Sequence, residues 1–177
     1  MANHHRSHFP QTYDRAAEML QSSRTGRRQG YVRFPSVRAT LLLEEMDPRV
    51  GRIFHVRYHA TNVVTFLPNG GTILRDGGWK TVTTKARMNA CGFGVHVSAS
   101  GYWWVEDHLY VDGIVLGRNL EPVGVESYCG IESYDQAVAG MASRIVGTNF
   151  FRKLDQPLQW RLLILAMSDP SPEAIVA

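Results

Sequence analysis

An α+β domain is the fold this sequence predicts: an N-terminal helix, an antiparallel meander sheet of about 5–8 strands, and two C-terminal helices packed on it. Three observations lead there. A helical apolar stripe opens the chain after Thr12. Short β-rich runs, cut by Gly, Pro and Asn-Gly, fill residues 31–116. Beyond Gly117 the pattern turns helical again.

In "TYDRAAEMLQSSR", Thr12 is the expected cap, and Ala16, Met19 and Leu20 share one side. "SRTGRRQG" (Ser23–Gly30) reads as a basic, glycine-bounded loop. The strands "YVRF" and "SVRATLLLE" are split by Pro35, which a central ladder does not admit. "GRIFHVRYHA" alternates, with Phe54, Val56 and Tyr58 toward the core and Ile53, His55, Arg57 and His59 the other way. "TNVVTF" and "GTILR" flank "LPNGG", a tight hairpin turn at Pro68–Gly71. "FGVHVSA", "YWWVED" and "LYVDGIVL" follow as strands, the last bent back at Asp112-Gly113. "SYDQAVAGMASRIVG" is a helix capped by Ser133, with Ala137, Met141 and Ile145 on its buried stripe. "QPLQWRLLILAM" is a second helix, apolar nearly all round and therefore buried in the core or against another copy.

These elements give a mobile N-terminus over 1–11, one domain over 12–168 and a proline-rich tail over 169–177. Within the domain, 12–116 is the basic, sheet-rich part and 117–168 the acidic, helical part. The 177 residues suit one domain. The N-terminus lacks a signal-peptide layout, and no apolar run reaches the roughly 18 residues of a membrane span. Cys91 and Cys129 form no CxxC, so free thiols in a reducing compartment are expected. Residues 1–100 hold 14 of the 19 Lys and Arg against 6 of the 16 Asp and Glu, a net +8, and the remainder carries −5. Such a division suits one face that meets an anion, or two faces that meet each other.

Catalytic signatures are missing: there is no GxSxG, no GxxxxGK[ST] and no cysteine in a His/Asn framework. His55 and His59 would stand ~13 Å apart on a straight strand, too far to share an ion. The acidic knots Glu44-Glu45-Asp47 and Glu106-Asp107 read as solvated strand ends. A non-catalytic protein without metal or cofactor is the expectation.

The segment "DGGWKTVTTKARMN" (Asp76–Asn89) carries the most function-bearing residues. Gly77 and Gly78 must turn the chain. "WKTVT" reads as a short strand, and "TKARMNA" as one or two helical turns capped by Thr83 or Thr84. That reading places Lys85 and Arg87 beside the positive end of a helix, where each costs about 0.3–1 kcal/mol. A bound anion reverses the sign, so Thr83, Thr84, Lys85 and Arg87 form an expected phosphate site, with Trp79 packed beneath.

Two functions from different classes fit. One is nucleic-acid binding, to DNA or RNA, by a basic sheet face that carries aromatics; Lys80, Arg57, Arg27 and Arg28 join the anion-site residues. The other is a protein-binding module, with Trp103, Trp104 and Trp160 as interface candidates and self-association through the apolar final helix. In "YWWVE" alternation buries one tryptophan and turns the other outward.

"LRDGGWKTVTTKARMN", preceded by "RYHATNVVTFLPNGGTI" and followed by "YWWVED", resembles a small family of tailed-bacteriophage proteins. The likeness spans roughly residues 15–115, is specific between His59 and Asn89, and is lost from Gly117 onward. It implies phage provenance, hence the host cytoplasm or the virion, and partners that are nucleic acid or a host or phage protein complex. It implies no activity.

Overall fold

A computed structural model of the chain describes residues 9–35, 37–99, 101–127 and 130–146, together with Arg152 and Gln159. The fold is α+β. Helix α1 (Tyr13–Ser22) begins where Thr12 Oγ1 accepts the Arg15 N–H. The expected basic loop is instead a second helix, α2 (Arg24–Gln29). Ser23 caps it, Gly30 ends it in the left-handed region, and Gly26 lies where any Cβ would strike the Leu20 carbonyl. That close approach is a tertiary feature that composition does not reveal.

Strands β1 (Tyr31–Arg33), β2 (Thr40–Asp47), β3 (Gly51–Tyr58), β4 (Thr61–Phe66) and β5 (Thr72–Leu74) form a consecutive antiparallel meander. The β4–β5 hairpin pairs Val64 with Leu74 and Phe66 with Thr72, as expected, and the Gly70 N–H donates to the Leu67 carbonyl at 2.9 Å. The chain then leaves the sheet. It builds α3 (Val82–Ala90) and a three-stranded sheet of β6 (Val95–Val97), β7 (Trp103–Val105) and β8 (His108–Leu109). It returns as β9 (Ile114–Leu116), which lies directly against β5. Beyond it, β10 (Pro122–Ser127) and β11 (Gly130–Glu132) complete an eight-stranded order, β1-β2-β3-β4-β5-β9-β10-β11. The part expected to be helical from 117 thus begins with two strands. Pro122 is tolerated as the first residue of β10, beside a bulge.

Helix α4 (Tyr134–Ile145) follows at Ser133, though the Ser133 side chain makes no capping bond. It packs on β10 and buries Tyr134, Val138 and Ala142, with Ala137 and Met141 half-buried. The expected second C-terminal helix and Trp160 lie outside the described residues.

The core sits on one face of the large sheet. Leu42, Phe54, Val56, Val64, Phe66, Leu74, Ile114 and Leu116 meet Ala16 and Leu20 of α1, Met88 of α3 and the aromatics of the small sheet. Phe9 belongs to this core, stacked on Phe34 at 4.2 Å, so the expected mobile N-terminus does not include it. Trp103 and Trp104 are both buried, because β7 is covered on both sides. Neither serves as an exposed anchor. Cys91 is free and buried, and burial pushes its thiol pKa up, which leaves it unreactive. Among the described residues, no helix is long and apolar enough to cross a membrane.

Candidate nucleic-acid interface

The stretch from Asp76 to Thr81 is the point where the chain leaves the large sheet. Asp112, at the point of return, accepts the backbone N–H groups of both Asp76 and Gly77 with one carboxylate oxygen. Asp76 Oδ1 accepts the Gly78 N–H at 2.7 Å. Asp112 thus ties exit to return, and Asp76 fixes the exit turn itself. Gly77 is obligatory twice over: its φ is +62°, and a Cβ there would sit 2.8 Å from Thr61 Oγ1. Gly78, at φ +83°, faces open space.

"WKTVT" is therefore no strand. Thr81 caps α3, its Oγ1 accepting the Thr84 N–H at 3.1 Å, and its carbonyl accepts the Lys85 N–H. Thr84 is buried, and its hydroxyl donates to the Trp79 carbonyl at 3.0 Å. The cap lies two or three positions earlier than expected, and this removes the sign conflict. Arg87 falls in the last turn of α3, where the dipole favours a cation. Its Nε donates to Thr40 Oγ1 at 3.0 Å, and its guanidinium lies 5.3 Å from the centre of the Tyr58 ring. Arg87 braces α3 to the sheet and is not a free phosphate ligand.

Trp79 does not pack beneath the turn either. It is 71% exposed, and Val82 beside it is 80% exposed. Val82 is the first residue of α3, and Trp79, just after the glycine hinge, lines a cavity of about 410 Å³. Tyr58, His59, Thr61, Val63, Asp76, Thr81, Thr83 and Thr84 line it with Trp79. His59 holds φ at +52° and sets its ring 4.4 Å from that of Tyr58. A non-glycine residue in this region costs of order 1–3 kcal/mol, which the surrounding contacts must offset.

Asp76 supplies an acid to this wall. It is only 2% exposed, and burial and then the nearby Asp112 carboxylate raise its pKa. Burial, with Asp76 and Asp112 next, likewise lifts the Tyr110 hydroxyl well above its usual range. A phosphate about 4 Å from an ionised Asp76 would meet repulsion of roughly 4 kcal/mol at an effective dielectric of 20. The cavity floor is no phosphate site. Two cations adjoin lining residues in the chain: Lys80 is exposed with its Nζ 5.7 Å from the Tyr110 ring, and Lys85 is on the first turns of α3.

The remaining expected cations are dispersed. Arg57 Nε donates to Asn62 Oδ1 at 2.7 Å, on the sheet face opposite the core. Arg27 Nη1 donates to the Gln21 carbonyl at 2.7 Å and closes the end of α1. Arg27 and Arg28 line a separate hollow with Glu44, Glu45 and Met46, ~13–20 Å along β2 from Thr40 at strand rise. They do not join the α3 cluster.

The sheet face opposite the core is not an open basic surface. A second cavity of about 330 Å³ there is lined by Glu45, Asp47, Arg49, His55, Thr65, Arg75 and Glu126, among others. Arg49 pairs with Asp47 at 2.9 Å and Glu126 at 3.2 Å, and Arg75 pairs with Glu126 at 2.9 Å. His55 is buried between Thr65 Oγ1, 2.8 Å from its Nδ1, and Glu45, 3.3 Å from its Nε2. Within the knot 44–47, Asp47 holds Arg49 and Glu45 reaches His55, while Glu44 and Glu45 stay exposed as expected of a solvated strand end.

Tyr58 and Trp79 stand among the aromatics interleaved with the basic residues in the sequence, but sequence reasoning missed that they meet His59 around one cavity and that Trp79 is exposed there. A Gly-Gly pair before tryptophan signalled a hinge but not its direction. No family model, curated protein or solved structure matches the chain.

Proposed function

We propose that this is a non-catalytic nucleic-acid-binding accessory protein of a tailed bacteriophage, acting in the host cytoplasm or the virion. The observation that carries the reading is Trp79, 71% exposed on a glycine hinge at the mouth of a cavity. An exposed indole keeps a large apolar ring in water, which a partner with an aromatic or apolar face would cover while the ring N–H stays free to donate. Lys80 and Lys85 beside it, and the net +8 of residues 1–100, give that partner a negative backbone. Sheet-face binding is replaced by binding at the sheet end.

A protein partner has one observation in its favour. Val82, 80% exposed next to Trp79, makes an apolar knob that a base does not need and a protein pocket would bury. The separating experiment is fluorescence anisotropy with labelled single- and double-stranded DNA and RNA across a salt series. Nucleic-acid binding requires measurable affinity at low salt that falls steeply on a log–log plot. A protein with no affinity for any of the four at low salt would be the protein-binding module instead.

A further inference from the structure

Resting on the nucleic-acid reading, we infer that the Trp79 cavity receives one unpaired base, and that the phosphates stay outside it. The wall decides this. Asp76, 2% exposed in this wall with its Oδ1 already taking the Gly78 N–H, disfavours a phosphate by like charge when ionised. The hydroxyl-bearing Thr61, Thr81 and Thr83 offer polar contacts without charge. Tyr58 and His59 give the cavity an aromatic side, and Trp79 at its mouth gives a free ring face. Base–aromatic stacking is sequence-tolerant, since every base has a π-face. Lys80, exposed and next to Trp79 in the chain, and Lys85, four residues after Thr81 in α3, are the cations a passing backbone would meet.

The substrate class follows. A base within a duplex is stacked on both sides and paired along its edge, and entering this cavity would require unstacking it. A base in a single strand is already available. The site therefore selects single-stranded nucleic acid, and it does so through Trp79, whereas the lysines bind both forms.

The test is equilibrium binding at one salt concentration of three probes of equal length: a single-stranded oligonucleotide, its duplex, and a single strand with abasic positions that keeps every phosphate. Trp79→Ala and Trp79→Phe are compared with wild type. Because Trp79 is exposed, both variants should fold, which near-UV circular dichroism checks. Wild type should prefer the single strand to the duplex by about tenfold, the usual scale of one stacked base. Trp79→Ala should lose that margin and keep its duplex affinity and salt slope, and Trp79→Phe should recover part of the margin. The abasic strand should bind wild type no better than the intact strand binds Trp79→Ala. The inference is overturned if Trp79→Ala binds the single strand as wild type does, or if abasic and intact strands bind alike. Absence of binding to all three probes overturns the nucleic-acid reading itself, a result distinct from either of these.

Discussion

Thr81 decides where α3 starts, and with it what every residue of the motif does. Its Oγ1 takes the Thr84 N–H and contacts Thr84 Oγ1 at 2.9 Å. Thr81→Ala should lower stability by about 1 kcal/mol, the usual value of a lost cap. Thr83→Ala, at a half-buried position with no capping role, should stay within about 0.5 kcal/mol. Chemical denaturation of the two variants checks the assignment, and reversed magnitudes would restore the later cap. His55 sets a second residue-scale expectation. Burial lowers its pKa against the opposing pull of the Glu45 carboxylate. The unfolded state then binds more protons below pH ~6.5, so stability should fall as pH drops from that value toward the folded pKa. His55→Gln should flatten this part of the stability curve. An equally steep fall in that variant would assign the acid sensitivity to other groups.

At the scale of elements, the exit loop and α3 act as one braced unit. Arg87 ties the helix to β2 through Thr40 and to β3 through Tyr58. Arg87→Ala should therefore destabilise the fold by about 1–2 kcal/mol, from a charged hydrogen bond and a cation–π contact. Lys85→Ala should change it by less than about 0.5 kcal/mol. Thermal unfolding of the two single variants separates a brace from a ligand. Elements whose signals are local were legible: Thr12 announced α1, and Pro68 to Gly71 announced the β4–β5 hairpin. Elements set by contacts between distant residues were not. Helix α2 has six residues and depends on Gly26 approaching the Leu20 carbonyl, which no window of sequence displays. Strand β7 buries both Trp103 and Trp104 because the small sheet is covered on two sides, and alternation presumes one wet face. The candidate site was half legible: the segment was identified, but the cap, the role of Arg87 and the exposure of Trp79 depend on where the glycines aim the chain.

For the whole molecule, the sheet order explains why a site should form at Asp76. The excursion from β5 to β9 inserts α3 and the small sheet between two strands that lie side by side. Asp112 and Asp76 close that excursion at its base, so the hinge, the cavity and the start of α3 converge at one end of the large sheet. The charge division of the sequence becomes local there. Arg49, Arg57, Arg75 and Arg87 are spent on partners within the fold, whereas Lys80 is exposed above the Tyr110 ring and Lys85 stands on the first turns of α3. On the proposed nucleic-acid reading, these two lysines hold the phosphates. The most direct measurement is the salt dependence of single-strand binding for wild type and for the double variant Lys80→Ala, Lys85→Ala. Binding should weaken at every salt concentration and the log–log slope should be shallower by about 1.4, the contribution of two phosphates on a single strand, with stability lowered by no more than about 1 kcal/mol from the lost Lys80–Tyr110 contact. A slope and affinity equal to wild type would contradict that reading.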